Sequence, residues 1–139
     1  MKILQFAFDS REESDYLPHN YTHNCVVYTG THDNDTVMGW YDTLKGADKK
    51  LCDDYLRLKN ADGEPIPREQ LPWEFVRAAM SSVADMAIIP MQDYLGLGSE
   101  ARINIPSTLG INWMWRMGNG DFTKELAGRI RSMTKLYGR

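Results

Sequence analysis

The chemistry-bearing side chains of this sequence gather in one short run, His32-Asp33-Asn34-Asp35, framed by Gly30-Thr31 and Thr36. An imidazole next to a carboxylate can share hydrogen bonds with two neighbouring hydroxyl groups. Asn and Asp in such a run equally serve as turn formers whose side chains cap backbone N–H groups. The run follows Cys25-Val26-Val27-Tyr28-Thr29, a β-branched segment that reads as a strand over 25–29 and stops at Gly30. In parallel α/β architectures ligands bind beyond the carboxyl ends of strands, where loops vary while the sheet holds them. The run therefore occupies the place where a site is expected.

A second candidate surface lies between Arg102 and Arg116. Trp113 and Trp115 stand two apart near Asn104, Asn112 and the two arginines. Indoles stack on sugar rings while amides and guanidinium groups bond their hydroxyls, although such indoles also simply pack beneath a loop. In extended chain, residues i and i+2 share a side, so the two indoles are expected to act together. His19 and His23 have a four-residue spacing, but Pro18 and Asn20 argue against a helix and no suitable acidic partner is near, so no metal is expected. Cys25 and Cys52 form no metal motif; Cys25 reads as a small core residue, and the pair suits a reducing, cytoplasmic setting.

The elements that must carry these residues follow from hydrophobic spacing. Residues 2–8 are almost continuously apolar, as in a strand buried on both faces, and the stretch 11–24 is a polar excursion. Asp48 is placed to cap a helix with Leu51, Cys52, Tyr55, Leu56 and Leu58 inward. Asp62-Gly63-Glu64-Pro65 marks a turn. Over 68–84, Leu71, Phe75, Val76, Ala79, Met80 and Val83 fall on one helical face, with Pro72 harmless near the start. A third buried strand is expected over 85–91, then a glycine-rich turn over 92–98 and a long aromatic loop over 99–120. A final helix is expected from Asp121 as N-cap, with Leu126, Ile130 and Met133 as its buried stripe and Gly138 as its stop.

The fold class is thus α/β with a parallel sheet of three strands. Such a sheet leaves two open edges, so the chain is expected either to self-associate or to be a piece of a larger sheet. The 139 residues, 42% of them hydrophobic, suffice for one globular domain. A net charge of −3 gives no basic surface for nucleic acid, and no apolar stretch reaches membrane-spanning length. No secretory leader is read at Met1-Lys2.

Three segments carry a family resemblance: Met1 to Asp9, Tyr28-Thr-Gly-Thr-His-Asp-Asn-Asp-Thr36 with Gly39-Trp40, and Pro90-Met-Gln-Asp-Tyr-Leu-Gly-Leu-Gly98. With Arg102-Ile-Asn-Ile-Pro106 and Asn112-Trp-Met-Trp-Arg116, they resemble the C-terminal part of the 4-alpha-glucanotransferases (amylomaltases, alpha-amylase superfamily). The resemblance spans essentially all of residues 1–139, and its most specific portion is Gly30 to Thr36.

The resemblance implies a (β/α)8 barrel of which this chain covers about the last three β/α units, with segments 2–8, 25–30 and 86–90 as the sixth to eighth strands. It implies transfer of α-1,4-glucan segments between maltooligosaccharides with retained anomeric configuration. It assigns Asp33 the carboxylate that stabilises the transition state, His32 the adjacent hydroxyl-binding histidine, and Asn104 an asparagine of the substrate groove. The family's nucleophile and acid/base precede the segment matching Met1, so neither role falls on a residue here and the chain alone is expected to be inactive. No cofactor is implied, since carboxylates suffice for glycosyl transfer. The remaining part of the same enzyme is the implied partner. A non-catalytic α-glucan-binding module using Trp113, Trp115 and Asn104, and an α-glucan hydrolase fragment, are the alternatives.

Overall fold

The computed structural model describes residues 1–139. Three short parallel strands, β1 (Lys2–Ile3), β2 (Val26–Tyr28) and β3 (Met86–Ile88), form one open sheet in the order β1-β2-β3. Val27 stands opposite Lys2 on one side and Ala87 on the other. Its fully buried side chain packs with Tyr21, Ala79 and Ala84. The opposite face is open at β3, where Met86 is 53% and Ile88 40% exposed, while Ile3 at its other edge is buried. The expectation that β3 is buried on both faces is thereby corrected, because nothing covers the face of β3 that carries Met86 and Ile88.

The first strand is also shorter than expected. After Ile3 the backbone turns into a 3-10 segment, Leu4–Ala7. In a 3-10 turn residues i and i+3 eclipse, and here that sends Leu4 and Ala7 together into the main core while Phe6 faces out. A continuous apolar run fits either geometry, so its spacing does not separate them.

Helix α1 (Val37–Thr43) follows the candidate turn directly and is an element the spacing did not reveal. Thr36 caps it, its hydroxyl accepting from Gly39 N at 3.1 Å. Seven residues with a glycine at the third position are too few to show a periodicity. Helix α2 (Gly46–Leu56) begins after Lys45, not at Asp48. The Asp48 carboxylate instead accepts from Ser10 N and Oγ, at 2.8 and 2.5 Å, and so fastens the polar excursion to the helix.

Helix α3 (Leu71–Met80) carries Phe75 at the centre of the main core, with Phe8, Trp40 and Tyr41 edge-on around its ring. The helix stops at Met80, so Val83, expected on its buried face, lies in the following turn and is exposed. A one-turn helix, α4 (Met91–Tyr94), occupies the start of what the glycines marked as a turn. The last helix, α5 (Lys124–Leu136), is capped by Thr123, whose Oγ1 accepts from Leu126 N. Asp121 is not the cap because its carboxylate is bound to Gly118 N one turn earlier. The stripe Leu126, Ile130 and Met133 packs on Trp73, Val76 and Met80 as its spacing predicts, and Gly138 follows in the left-handed conformation. No helix is long and apolar enough to cross a membrane.

Candidate functional site

Loop 30–36 leaves the carboxyl end of β2 and returns into α1. Its four chemically active side chains divide into two groups. Asn34 faces inward, its Oδ1 accepting from Thr31 N at 2.9 Å and Thr31 Oγ1 at 2.7 Å. Asp35 is likewise consumed by the fold, accepting from Thr36 N at 2.8 Å and Ser99 Oγ at 2.6 Å. These two are the turn formers anticipated for such a run. His32 and Asp33 make no such caps, and their side chains are half exposed.

A second segment then closes on the loop from far along the chain. Asn104 Nδ2 donates to Asp33 Oδ1 at 2.7 Å, and Asn104 N donates to His32 O at 3.1 Å. Arg102 braces both segments: Nη2 donates to Asp33 O at 2.7 Å, and Nε to Asn104 O at 2.9 Å. His32 Nε2 lies 3.3 Å from Asp33 Oδ1. All three residues expected to bind substrate, His32, Asp33 and Asn104, therefore meet on one rim.

The aromatic contribution differs from the sequence reading. Trp113 tilts over His32 with ring centroids 5.1 Å apart, while its backbone N donates to Ile103 O at 2.7 Å. Trp113 adopts a positive φ of 65°. The chain is thus not extended there, the i, i+2 argument fails, and Trp115 does not join Trp113 against His32. A left-handed conformation at a bulky residue is strained, and strain of this kind concentrates at functional sites. Beside His32, an open apolar hollow is lined by Tyr28, Ile88, Met91 and Ile103.

Several supporting residues escaped the sequence reading. Gln5 Nε2 crosses Gly30 to donate to Asp35 O at 2.8 Å, and a Cβ at Gly30 would lie 2.5 Å from that nitrogen. Gly39 is needed because a Cβ there would collide with Ser99 Oγ and the Asp35 carboxylate. Asp93, on α4, is almost completely buried, and desolvation pushes its pKa up to about 6. No group of three or more His, Cys, Asp or Glu side chains is arranged to hold a metal ion. His19 is occupied instead, its Nδ1 lying 3.0 Å from the Tyr55 hydroxyl.

Comparison with known proteins gives this geometry a context. The family model described as 4-alpha-glucanotransferase matches residues 1–121. The chain belongs to the 4-alpha-glucanotransferase family. It is 49% identical to the 4-alpha-glucanotransferase of Clostridium butyricum, with all of this chain and 27% of that protein matched. It is 48% identical to the chloroplastic/amyloplastic 4-alpha-glucanotransferase of Solanum tuberosum, with all of this chain and 23% of that protein matched. The structure of amylomaltase from Streptococcus agalactiae, solved in complex with acarbose, superposes with a TM-score of 0.89 at 35% identity. That match covers all of this chain and 27% of the amylomaltase. The chain thus spans about a quarter of the length of its 4-alpha-glucanotransferase relatives.

Proposed function

We propose that this chain supplies part of the active site of a retaining 4-alpha-glucanotransferase, with Asp33 as the carboxylate that stabilises the transition state. The observation that carries the reading is the bond from Asn104 to Asp33, which joins two distant segments around a carboxylate still half open to solvent. One lobe of the Asp33 carboxylate is held by Asn104, which leaves the remaining acceptor positions for sugar hydroxyls. Such bonds strengthen as the sugar ring acquires oxocarbenium character, because the hydroxyls become better donors to a fixed negative charge. His32, oriented by Trp113, supplies a ring nitrogen to an adjacent hydroxyl.

Retention requires two further carboxyl groups about 5–5.5 Å apart, one as nucleophile and one as acid/base. We assign neither role to a residue of this chain, so residues 1–139 alone do not transfer glucan. The exposed sheet face at Met86 and Ile88 fits a segment whose neighbours in a (β/α)8 barrel come from the rest of the enzyme. Light scattering of the isolated chain tests that last point: association through the bare face is expected, and a sharply melting monomer contradicts it.

The experiment for the active-site reading uses a hybrid, the Clostridium butyricum relative with its matching segment replaced by these 139 residues. Maltotriose is supplied, and glucose and longer oligosaccharides are measured. Asp33→Asn is expected to lower kcat by about 10²–10³-fold, the scale of losing one oriented transition-state contact. A cooperatively melting Asp33→Asn hybrid with unchanged kcat contradicts the reading. Glucose release without redistribution into longer oligosaccharides favours a hydrolase instead.

A further inference from the structure

We propose that Asp93 is a positioning residue for this site, a carboxylate clip that closes the two ends of the loop carrying His32 and Asp33. The inference rests on the reading of Asp33 given above. Asp93 stands outside the His32–Asp33–Asn104 cluster and touches neither Asp33 nor the open rim. It comes from α4, after β3, and only 1% of it is exposed. Its Oδ2 accepts from Thr29 Oγ1 at 2.5 Å and its Oδ1 from Val37 N at 2.8 Å. Thr29 is the last residue before the loop and Val37 the first after it. One side chain therefore sets the separation between the entry and the exit of loop 30–36. Within that span, Asp35 is tied to Ser99 and gripped by Gln5, so the loop has little freedom except through its ends.

The chemical type of residue 93 supports a role beyond packing. No cation pairs with Asp93; the ion pairs of the chain are all elsewhere. A buried carboxylate without a cation costs stability, which is why desolvation raises its pKa. Only a carboxylate, however, presents two equivalent acceptors, one to a hydroxyl and one to a backbone N–H at the same time. An amide in its place keeps both partners only if the Thr29 hydroxyl turns to accept from the N–H₂ group, which exchanges a short charge-assisted bond for a weaker neutral one and loosens that jaw of the clip. Misplacement of a transition-state contact by about 1 Å can cost on the order of 10²-fold in rate. The clip therefore bears on kcat, through Asp33, more than on initial capture of the glucan.

The test uses the hybrid enzyme with Asp93→Asn, Thr29→Val, Thr29→Ser and, as reference, Asp33→Asn. Asp93→Asn and Thr29→Val are each expected to lower kcat for maltotriose about tenfold with KM within threefold. Thr29→Ser, which keeps the hydroxyl, is expected to stay within twofold of the unsubstituted hybrid. Asp93→Asn is expected to melt no lower at pH 7, so the lost rate is not lost fold. Loss with Asp33→Asn but none with Asp93→Asn and Thr29→Val overturns the clip and leaves the active-site reading standing. No loss with Asp33→Asn overturns that reading itself. A second measurement needs no activity: in the 139-residue chain, Asp93→Asn is expected to speed amide exchange of loop 30–36 and Val37 at least tenfold, with α3 unchanged. Equal exchange in both chains overturns the clip.

Discussion

Asn104 Nδ2 and Asp33 Oδ1 lie 2.7 Å apart although 71 residues separate them in sequence. The bond joins the end of one strand's loop to the loop that follows the next strand, and Arg102 reinforces it from both sides. A carboxylate held on one lobe keeps its direction when substrate arrives. That direction is the preorganisation on which electrostatic stabilisation of a transition state depends.

Asn104→Ala removes this restraint and is expected to lower kcat/KM of the hybrid about tenfold or more, in line with ~1.5–3 kcal/mol for a hydrogen bond to a charged group. Asn104→Asp places a second negative charge against Asp33 and is expected to be worse than alanine. Initial rates on maltotriose check both. Equal activity of the aspartate variant and the parent would contradict the restraint assigned to Asn104.

Trp113 pins the His32 ring from one side at a 34° tilt. Trp113→Ala is expected to raise KM for maltotriose about tenfold, and Trp113→Phe to retain most of the affinity, since a smaller ring still covers the imidazole. Isothermal titration with maltooligosaccharides on the isolated chain completes the comparison. Weak, non-saturating binding is expected there, whereas tight saturable binding supports a carbohydrate-binding module.

Asp93 makes stability depend on pH in an unusual sense. Its folded pKa of about 6 lies above the ordinary carboxylate value of about 3.9. Between those values the native state binds more protons than the unfolded state, so stability falls as pH rises. The stabilisation is fully present below about pH 4 and is lost through pH 6, a total of about 3 kcal/mol at most from this group. Asp9, Asp42, Asp48 and Asp54 have pKa values lowered by Arg11, Arg68, Ser10 and Lys50 respectively, and they act oppositely at the acid end. Urea midpoints of the parent and Asp93→Asn between pH 4 and 7.5 isolate the Asp93 contribution. The gap in favour of the variant is expected to widen with rising pH.

Gly39 offers a purely structural test. In an exposed helix Gly→Ala is favourable by about 1 kcal/mol. Here the added carbon meets Ser99 Oγ and Asp35, so Gly39→Ala is expected to lower the melting temperature and to free the Ser99–Asp35 bond. A raised melting temperature contradicts the close approach.

Spacing marked the run 32–35 after a β-branched strand as the place for a site, but it fits capping turns equally well, as Asn34 and Asp35 show; the family resemblance singled out His32 and Asp33. The sequence disclosed α3 and α5 through their three- and four-residue steps, and the parallel sheet through the alternation of strands with helical segments. It did not disclose α1, which is short and contains Gly39, a residue present for Ser99 rather than for the helix itself. Nor did it disclose the end of β1, because Leu4 and Ala7 are equally apolar in a strand or in a 3-10 turn. Asp93 was hidden among turn-forming neighbours: burial of a carboxylate is a tertiary event with no local pattern. Trp113 was seen as an aromatic, but its positive φ, and so its separation from Trp115, depends on a contact with Ile103 that spacing does not encode.

The most direct measurement removes one partner of the central interaction at a time. kcat/KM is determined for the hybrid and its Asp33→Ala variant, each with maltotriose and with an analogue lacking the 2-hydroxyl on the sugar whose linkage is cleaved. If Asp33 holds that hydroxyl in the transition state, the parent loses about 10²-fold on deoxygenation and Asp33→Ala loses almost nothing more. An equal loss in both enzymes would show that Asp33 does not contact the reacting sugar there, contrary to the role proposed for it.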